Sequence, residues 1–325
     1  MPGSRASVFG EPEDFEDALR ADGVTALLIT GRGQFRARLT QISLDRLRLA
    51  SAEEEVARVA VVAVPADTVL VSWPIGDRPA PVWGGIEMRT GEMLILGPGN
   101  RVHARTGGSC RWDTIRLPKK ELLCYGRALR GPGFFVPPAP AVWRPAPAAG
   151  RHLAQLQRAA IRMAEARLGA LTDAEAAHGL EQQLIHALIQ CLSAGPAEQE
   201  RPAGRRHRCI LARFEDLLRA DASLSMTEIC AELGISERLL RACCKEHLRM
   251  GPHRYLQLHR MQQVYRDLRG GTLGTTRVSD IAQRHGFRDP GRFATSYRAV
   301  YGELPSATLR RASQRTNELS LRRPV

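Results

Sequence analysis

The sequence predicts an α+β chain: short strands first, then two helices, then an all-α C-terminal region. Three observations predict it. Apolar and polar residues alternate in short runs before residue 125, apolar residues recur every three or four positions after residue 150, and a helix-turn-helix pattern occurs twice beyond residue 206. At 325 residues the chain is long enough to bury two separate cores.

Residues 24–30, 46–49, 59–64, 69–73 and 92–96 read as strands, separated by Gly, Pro and Asp. Their close spacing favours a sandwich or a small barrel over βαβ units. Residues 131–150 hold Pro132, Pro137, Pro138, Pro145 and Pro147 and read as an edge segment or connector. Residues 152–168 and 173–192 follow as helices, the second with Thr172 or Asp173 as N-cap. Leu180, Leu184, Leu188 and Leu192 recur at a spacing of four, which serves either an internal core or a second copy of the chain. The polar residues 195–206 then read as a linker, which separates a region 1–150 and a helical pair 151–194 from a helical domain 207–312. A basic tail, 313–325, reads as disordered.

Charge is distributed unevenly. From residue 201 onward there are 24 Lys and Arg against 12 Asp and Glu, whereas the first 200 residues carry 23 against 22. The excess of a chain with net charge +13 therefore sits in the helical third, as expected if that part alone meets a polyanion. No apolar run reaches the roughly 18–20 residues that cross a bilayer. The acidic N-terminus, with Glu11, Glu13, Asp14, Glu16 and Asp17, is unlike a signal peptide, so a cytoplasmic protein without membrane contact is expected. Seven cysteines without C-x-x-C spacing are then expected as free thiols, the adjacent Cys243 and Cys244 included.

The two helical copies match in detail. Ile229 to Ser236 leads into Glu237 to Cys244 and closes near Pro252; Ile281 to Asp289 leads into Pro290 to Tyr297 and closes near Pro305. Gly234 and Gly286 fall where a helix must end left-handed, which glycine does cheaply. Ile235 and Phe287 would plug the corner, Ser236 and Asp289 would cap the following helices, and Pro290 suits a first helical position. Leu240, Cys244, Phe293 and Tyr297 would face inward, leaving Arg238, Arg241, Arg292 and Thr295 outward. A cationic helix of this kind fits the major groove of duplex DNA. Between the copies, Tyr255, Leu258, Met261, Tyr265 and Leu268 mark a long connecting helix starting at Pro252.

The residues Ile281-Ala282, Gly286-Phe287, Phe293, Tyr297, Tyr301-Gly302 and Pro305 resemble the signature of the AraC/XylS family of transcription regulators, over residues 206–312. The resemblance implies seven helices of which the third and sixth read DNA, and activity as an activator or repressor in contact with RNA polymerase. It makes Arg238, Arg241, Ala242 and Lys245 candidate contacts in the first copy. In the second, Arg288, Gly291, Arg292, Ala294, Thr295 and Arg298 are the candidates. Three features depart from the family: Arg249 stands where Gly is usual, Cys244 where a large aromatic is usual, and Gly291 with Ala294 offers little to a base edge. The arginines of the first copy are therefore expected to discriminate bases, and those of the second to hold phosphate.

The same resemblance implies that residues 1–150 form a cupin-like β-barrel, followed by two helices able to form a homodimer. Such a barrel takes a small-molecule effector, for which Trp73, Trp83 and Trp112 with Arg89, Arg101 and Arg105 are candidates; the alternative is that the tryptophans are core. An N-terminal half that only dimerises or binds protein fits the sequence equally well. A cupin-type enzyme fits less well. His103 is the only histidine before residue 150, and a metal centre needs three or four ligands. No P-loop, dinucleotide fingerprint or nucleophile–base pairing is present, so no cofactor and no catalytic residue is expected. Gly97-Pro98-Gly99 reads as a hairpin turn.

Overall fold

The computed structural model describes residues 3–76, 80–166, 173–194, 196–199, 202–221, 223–272 and 276–321. Two compact units are present, Met1–Leu27 with Arg36–Arg206, and Leu28–Phe35 with His207–Val325.

The first unit is built on two antiparallel sheets. The larger contains Gly3–Phe9 (β1), Ala37–Ser43 (β3), Arg48–Glu54 (β4), Thr68–Ile75 (β6), Met93–Leu96 (β9), Cys110–Pro118 (β11), Ala141–Trp143 (β12) and Pro196–Gln199 (β13), in the order β1-β3-β4-β11-β6-β9-β12-β13. The smaller contains Val24–Ile29 (β2), Arg58–Ala63 (β5), Val82–Trp83 (β7), Ile86–Glu87 (β8) and Arg101–Arg105 (β10), in the order β2-β5-β10-β7-β8.

Side-chain alternation gives the larger sheet two different faces. On β11, Trp112 and Thr114 point with Leu70, Ser72, Leu94 and Leu96 toward Ala60, Val62, Val102 and Ala104 of the smaller sheet. On the opposite face Ile115 and Leu117 join Val69, Val71, Trp73, Met93 and Ile95 in a core shared with three helices. Those helices are Lys119–Arg130 (α2), Pro147–Glu165 (α3) and Ala174–Cys191 (α4); a short Pro12–Leu19 helix (α1) lies near the N-terminus.

The α4 stripe goes into this core. Leu184, Ile185, Leu188 and Ile189 are each at most 1% exposed and pack within their own unit. Asp173 caps α4 by accepting from the Ala176 N–H at 2.8 Å. The alternative cap Thr172, the end of the preceding helix expected at 167–168, linker positions 195, 200 and 201, and tail positions 322–325 lie outside the described residues. The Gly302–Pro305 corner leads into Pro305–Leu321 (α11), a helix that continues through most of the expected tail.

The expected cupin-like barrel is not what forms. Among the described residues each sheet is open: β1 and β13 end the larger sheet, β2 and β8 the smaller, and neither pair of ends meets. Closing a sheet requires a matched strand tilt and register stagger around the whole ring. Alternation along single strands reports which face is buried, and it is silent on that global condition. The Gly97–Asn100 turn forms, with the Asn100 N–H donating to the Gly97 carbonyl at 3.2 Å. It is a crossing between sheets and not a hairpin, since β9 before it and β10 after it belong to different sheets.

The second unit is helical: Pro202–Ala220 (α5), Met226–Leu233 (α6), Glu237–Leu248 (α7), Pro252–Gly270 (α8), Val278–Arg284 (α9), Pro290–Tyr301 (α10) and α11. These are seven helices among the described residues, the number that the resemblance implied.

Candidate nucleic-acid interface

Each reading helix is placed by its own turn. Helix α6 begins with a capping box, in which Ser225 Oγ accepts from the Glu228 N–H (3.3 Å) and Glu228 Oε2 accepts from the Ser225 N–H (2.7 Å). Gly234, at φ 66°, closes it, and the Ile235 N–H donates to the Cys230 carbonyl at 3.1 Å. Arg213 adds guanidinium hydrogen bonds to the Leu233 and Glu232 carbonyls, where a cation suits the negative end of a helix. The chain then turns directly into α7, whose cap Ser236 accepts from the Leu239 N–H.

The second copy repeats this plan. Gly286, at φ 83°, follows α9, and the Phe287 N–H donates to the Ala282 carbonyl at 2.9 Å. Asp289 Oδ1 accepts from the Arg292 N–H at 3.0 Å and caps α10, which begins at Pro290.

Burial orients both helices. On α7, Leu240, Cys243, Cys244 and Leu248 are fully buried. This exposes Arg238, Arg241, Ala242 and Lys245, spaced as one face of a helix. On α10, Phe293, Tyr297 and Val300 are buried while Gly291, Arg292, Thr295 and Arg298 are exposed; Ala294 is half-buried, and Arg288 is exposed in the preceding turn. The structure thus brings nine of the ten sequence-predicted contact residues, all but Ala294, onto two exposed, cationic surfaces. Thr295 Oγ1 donates back to the Gly291 carbonyl at 3.0 Å, so its hydroxyl is engaged within its own helix.

Sequence reasoning missed the control on Arg241. Its guanidinium donates to Glu237 Oε1 at 2.7 Å, and His253 Nε2 lies 3.2 Å from the same oxygen. Arg241 first, and His253 second, hold the Glu237 carboxyl below its ordinary range. The i,i+4 spacing of Glu237 and Arg241 was the legible signal. His253, across the α7–α8 corner, had none.

The cores behind the two helices differ. Behind α7 the Glu215 carboxylate, 1% exposed, accepts from Tyr255 Oη at 2.7 Å and lies 3.0 Å from His259 Nε2. Burial and this carboxylate push the Tyr255 hydroxyl well above its usual range, and burial raises the Cys244 thiol. Behind α10 lie aromatic rings: Phe287 on Phe293 (centroids 4.9 Å), Phe293 on Tyr297 (5.6 Å), and Tyr265 stacked on Tyr301 (4.3 Å). The Tyr297 hydroxyl is 2.8 Å from Thr308 Oγ1.

The effector candidates are not brought together. Trp83 and Trp112 are buried between the sheets, Trp112 donating to Glu54, which is also bound bidentately by Arg58 at 2.7 and 2.8 Å. The space left there is about 50 Å³. Trp73 and Arg89 line a different cavity on the helical side of the larger sheet. Arg101 and Arg105 lie on β10, alternating with Val102 and Ala104, which face between the sheets. His103 is buried, and the described residues contain no cluster of three metal-ligating side chains. The seven cysteines are free thiols, and no helix among the described residues is long and apolar enough to cross a membrane.

Comparison with known proteins places the family match in the helical unit. Residues 229–311 match the family model described as a helix-turn-helix domain. The chain is 36% identical over 97 residues to the probable thc operon regulatory protein of Rhodococcus erythropolis, covering 29% of each protein. It is 35% identical over 99 residues to XylDLEGF operon transcriptional activator 3 of Pseudomonas putida, covering 30% of this chain and 29% of that one. The match thus spans about three-tenths of the length of these relatives. Among solved structures, the AraC-like transcriptional activator CuxR aligns over 81% of this chain and 95% of its own at 18% identity, with a TM-score of 0.43, too loose to carry residue correspondences.

Proposed function

Residues 229–311 form a helix-turn-helix domain of the AraC/XylS type, and on that premise we propose that the protein is a transcription regulator that reads two major grooves of one DNA duplex. The observation that carries this reading is the pair of capped helices α7 and α10, each buried on one side and cationic on the other. In this reading Arg238 and Arg241 grip guanine edges, with Ala242 and Lys245 beside them. The second copy docks to phosphate through Arg288 of the turn and Arg292 and Arg298 of α10, while Gly291 and Thr295 lie close to the groove floor. In this reading Arg241 exchanges its bond to Glu237 for a base when DNA binds.

The relatives are named as operon regulators and activators, and the present chain is proposed to act likewise, with its N-terminal unit responding to a small effector. The cavity on the helical side of the larger sheet, with an apolar floor and charged walls, supports an effector over a purely dimerising N-terminal half. The test is selection of binding sites from random duplex DNA, followed by footprinting. Two protected segments one helical turn apart are expected. Arg241→Ala should weaken the best site about ten- to a hundredfold and relax one base position, whereas Arg292→Ala should weaken all sequences alike. Protection of a single groove would overturn the two-groove reading.

A further inference from the structure

The cavity holding Trp73 and Arg89 has a volume of about 970 Å³ and lies between the outer face of the larger sheet and α3. Its lining is divided by chemistry. The floor is apolar, with Trp73, Ile75 and Met93 from the sheet and Ile161 from α3. The walls carry Arg89, Arg111, Arg144, Arg151 and Arg158 against Glu92 and Asp113, which gives a formal charge of +3. Within the cavity Glu92 is committed to Arg144 at 2.7 Å, which leaves Asp113 as the other lining carboxylate; Arg111 and Arg158 also border Glu53 and Glu165 in an adjoining cleft. Arg151 and Arg158 lie on one face of α3, two turns apart, with Ala154 between them, so the small side chain leaves room beneath the two guanidinium groups.

Asp113 supplies an independent sign of a ligand. It is 6% exposed, and its Oδ1 is buried with no hydrogen-bond partner among the described residues. A buried carboxylate oxygen left unpaired costs free energy that a donor in the cavity would recover. Burial pushes this carboxyl up to about 6, against the pull of a hydrogen bond from Ser51 and of the nearby Arg111 and Arg158.

We propose that this cleft binds a small organic anion, carboxylate or phosphate, whose charge is taken by Arg111 and Arg158, whose apolar body rests on Trp73 and Ile75, and whose hydroxyl or amine donates to Asp113. Guanidinium groups match both oxyanions bidentately. The space between the two sheets is unsuited to this role, since the Arg58–Glu54 pair and Trp112 fill it. The inference rests on the effector reading only for its consequence at DNA; binding itself is tested apart from it.

The experiment is calorimetry on the full chain with matched rigid probes: 3-hydroxyadamantane-1-carboxylate, adamantane-1-carboxylate, 1-adamantyl phosphate and adamantane-1,3-diol. Either anion should bind at least tenfold tighter than the diol, and the stronger of the two identifies the head group. The added hydroxyl should tighten the carboxylate further in the wild type and give no gain in Asp113→Ala. The double variant Arg111→Gln/Arg158→Gln should lose the preference for anions, with circular dichroism and thermal melting checking that it folds. Binding of the diol equal to that of the anions, or anion affinity unchanged in the double variant, overturns the site. A bound probe that leaves DNA affinity unaltered upholds the site and removes the effector reading instead.

Discussion

The two helix-turn-helix units reach the same backbone geometry on different cores. Behind α7 two small thiols leave room for a buried polar group, Glu215, which ties Tyr255 and His259 of the connecting helix. Behind α10 the space is taken by rings, from Phe287 through Phe293 and Tyr297 to Tyr301. Directional hydrogen bonds fix one helix and close packing of large surfaces fixes the other. The outward faces differ in a parallel way, with arginines presented along α7 and small residues, Gly291 and Ala294, at the start of α10. Turn chemistry, which the two share, sets the motif; core and surface chemistry are free to diverge around it.

The largest expected effect tests the aromatic side. Phe293→Ala should destabilise the second unit by about 3–5 kcal/mol, because it removes a ring that touches two others and leaves a cavity. Cys244→Ala, one turn further along α7 in the first copy, at the position that matches Tyr297, should cost only about 1 kcal/mol, since it deletes one atom. Amide hydrogen exchange on the full chain reads both, with the loss confined to α9–α10 in one variant and to α6–α7 in the other. Equal losses would mean that the thiol layer is packed as demandingly as the rings.

Next comes the polar side. Glu215→Leu removes the acceptor for the Tyr255 hydroxyl and the partner of His259, and stranded buried groups cost about 1–3 kcal/mol each. The added variant Tyr255→Phe should recover part of that loss by removing one stranded group. A double variant no more stable than Glu215→Leu would show that the carboxylate acts by filling space and not by bonding.

How much of this was legible depends on the range of the interaction. Gly234, Gly286, Ser236 and Asp289 declared both corners because caps and left-handed turns are settled within five residues. Leu240 and Phe293 declared the buried faces by spacing alone. Glu215 was not legible: its partners lie 40 and 44 positions away, and an isolated glutamate on an amphipathic helix reads as solvent-facing. The N-terminal sheets failed for the same reason. Their buried faces were visible in alternation, but β11 pairs with β4 and β6 across long separations, and pairing order decides whether a sheet closes. The effector candidates scattered accordingly. Trp73 and Trp112 face opposite sides of one sheet, an outcome fixed by register parity between strands.

A smaller effect lies at the ends of the reading helices. Arg249 ends α7 at φ 54°, the one non-glycine among the described residues in the left-handed region, where Gly302 ends α10 at φ 75°. An L side chain there costs about 1 kcal/mol or slightly more, so Arg249→Gly should stabilise the first unit by about 1 kcal/mol. The reciprocal Gly302→Ala should destabilise the second by more than that, since its Cβ would also lie 3.2 Å from the Gln34 backbone nitrogen. Thermal melting reads both signs, and a destabilising Arg249→Gly would show that contacts of the arginine outweigh its backbone strain.

The smallest expected effect concerns the helix that supports each reader. Helix α6 has the reciprocal Ser225–Glu228 cap, whereas α9 starts after Arg277, whose side chain makes no capping hydrogen bond. Arg277 nevertheless has the extended backbone of a cap residue, at φ −105° and ψ 131°, and its cationic side chain sits at the positive end of the helix. Arg277→Ser would supply an acceptor for the Ser279 or Asp280 N–H with no change in backbone, and should stabilise α9 by about 0.5–1 kcal/mol. Ser225→Ala should cost α6 about the same amount in the opposite direction. Exchange should slow in α9–α10 alone for the first variant and quicken in α6–α7 alone for the second. If either substitution moves both units together, the long helix α8 couples them into one cooperative body, and their different cores then secure a single shared stability and not two separate ones.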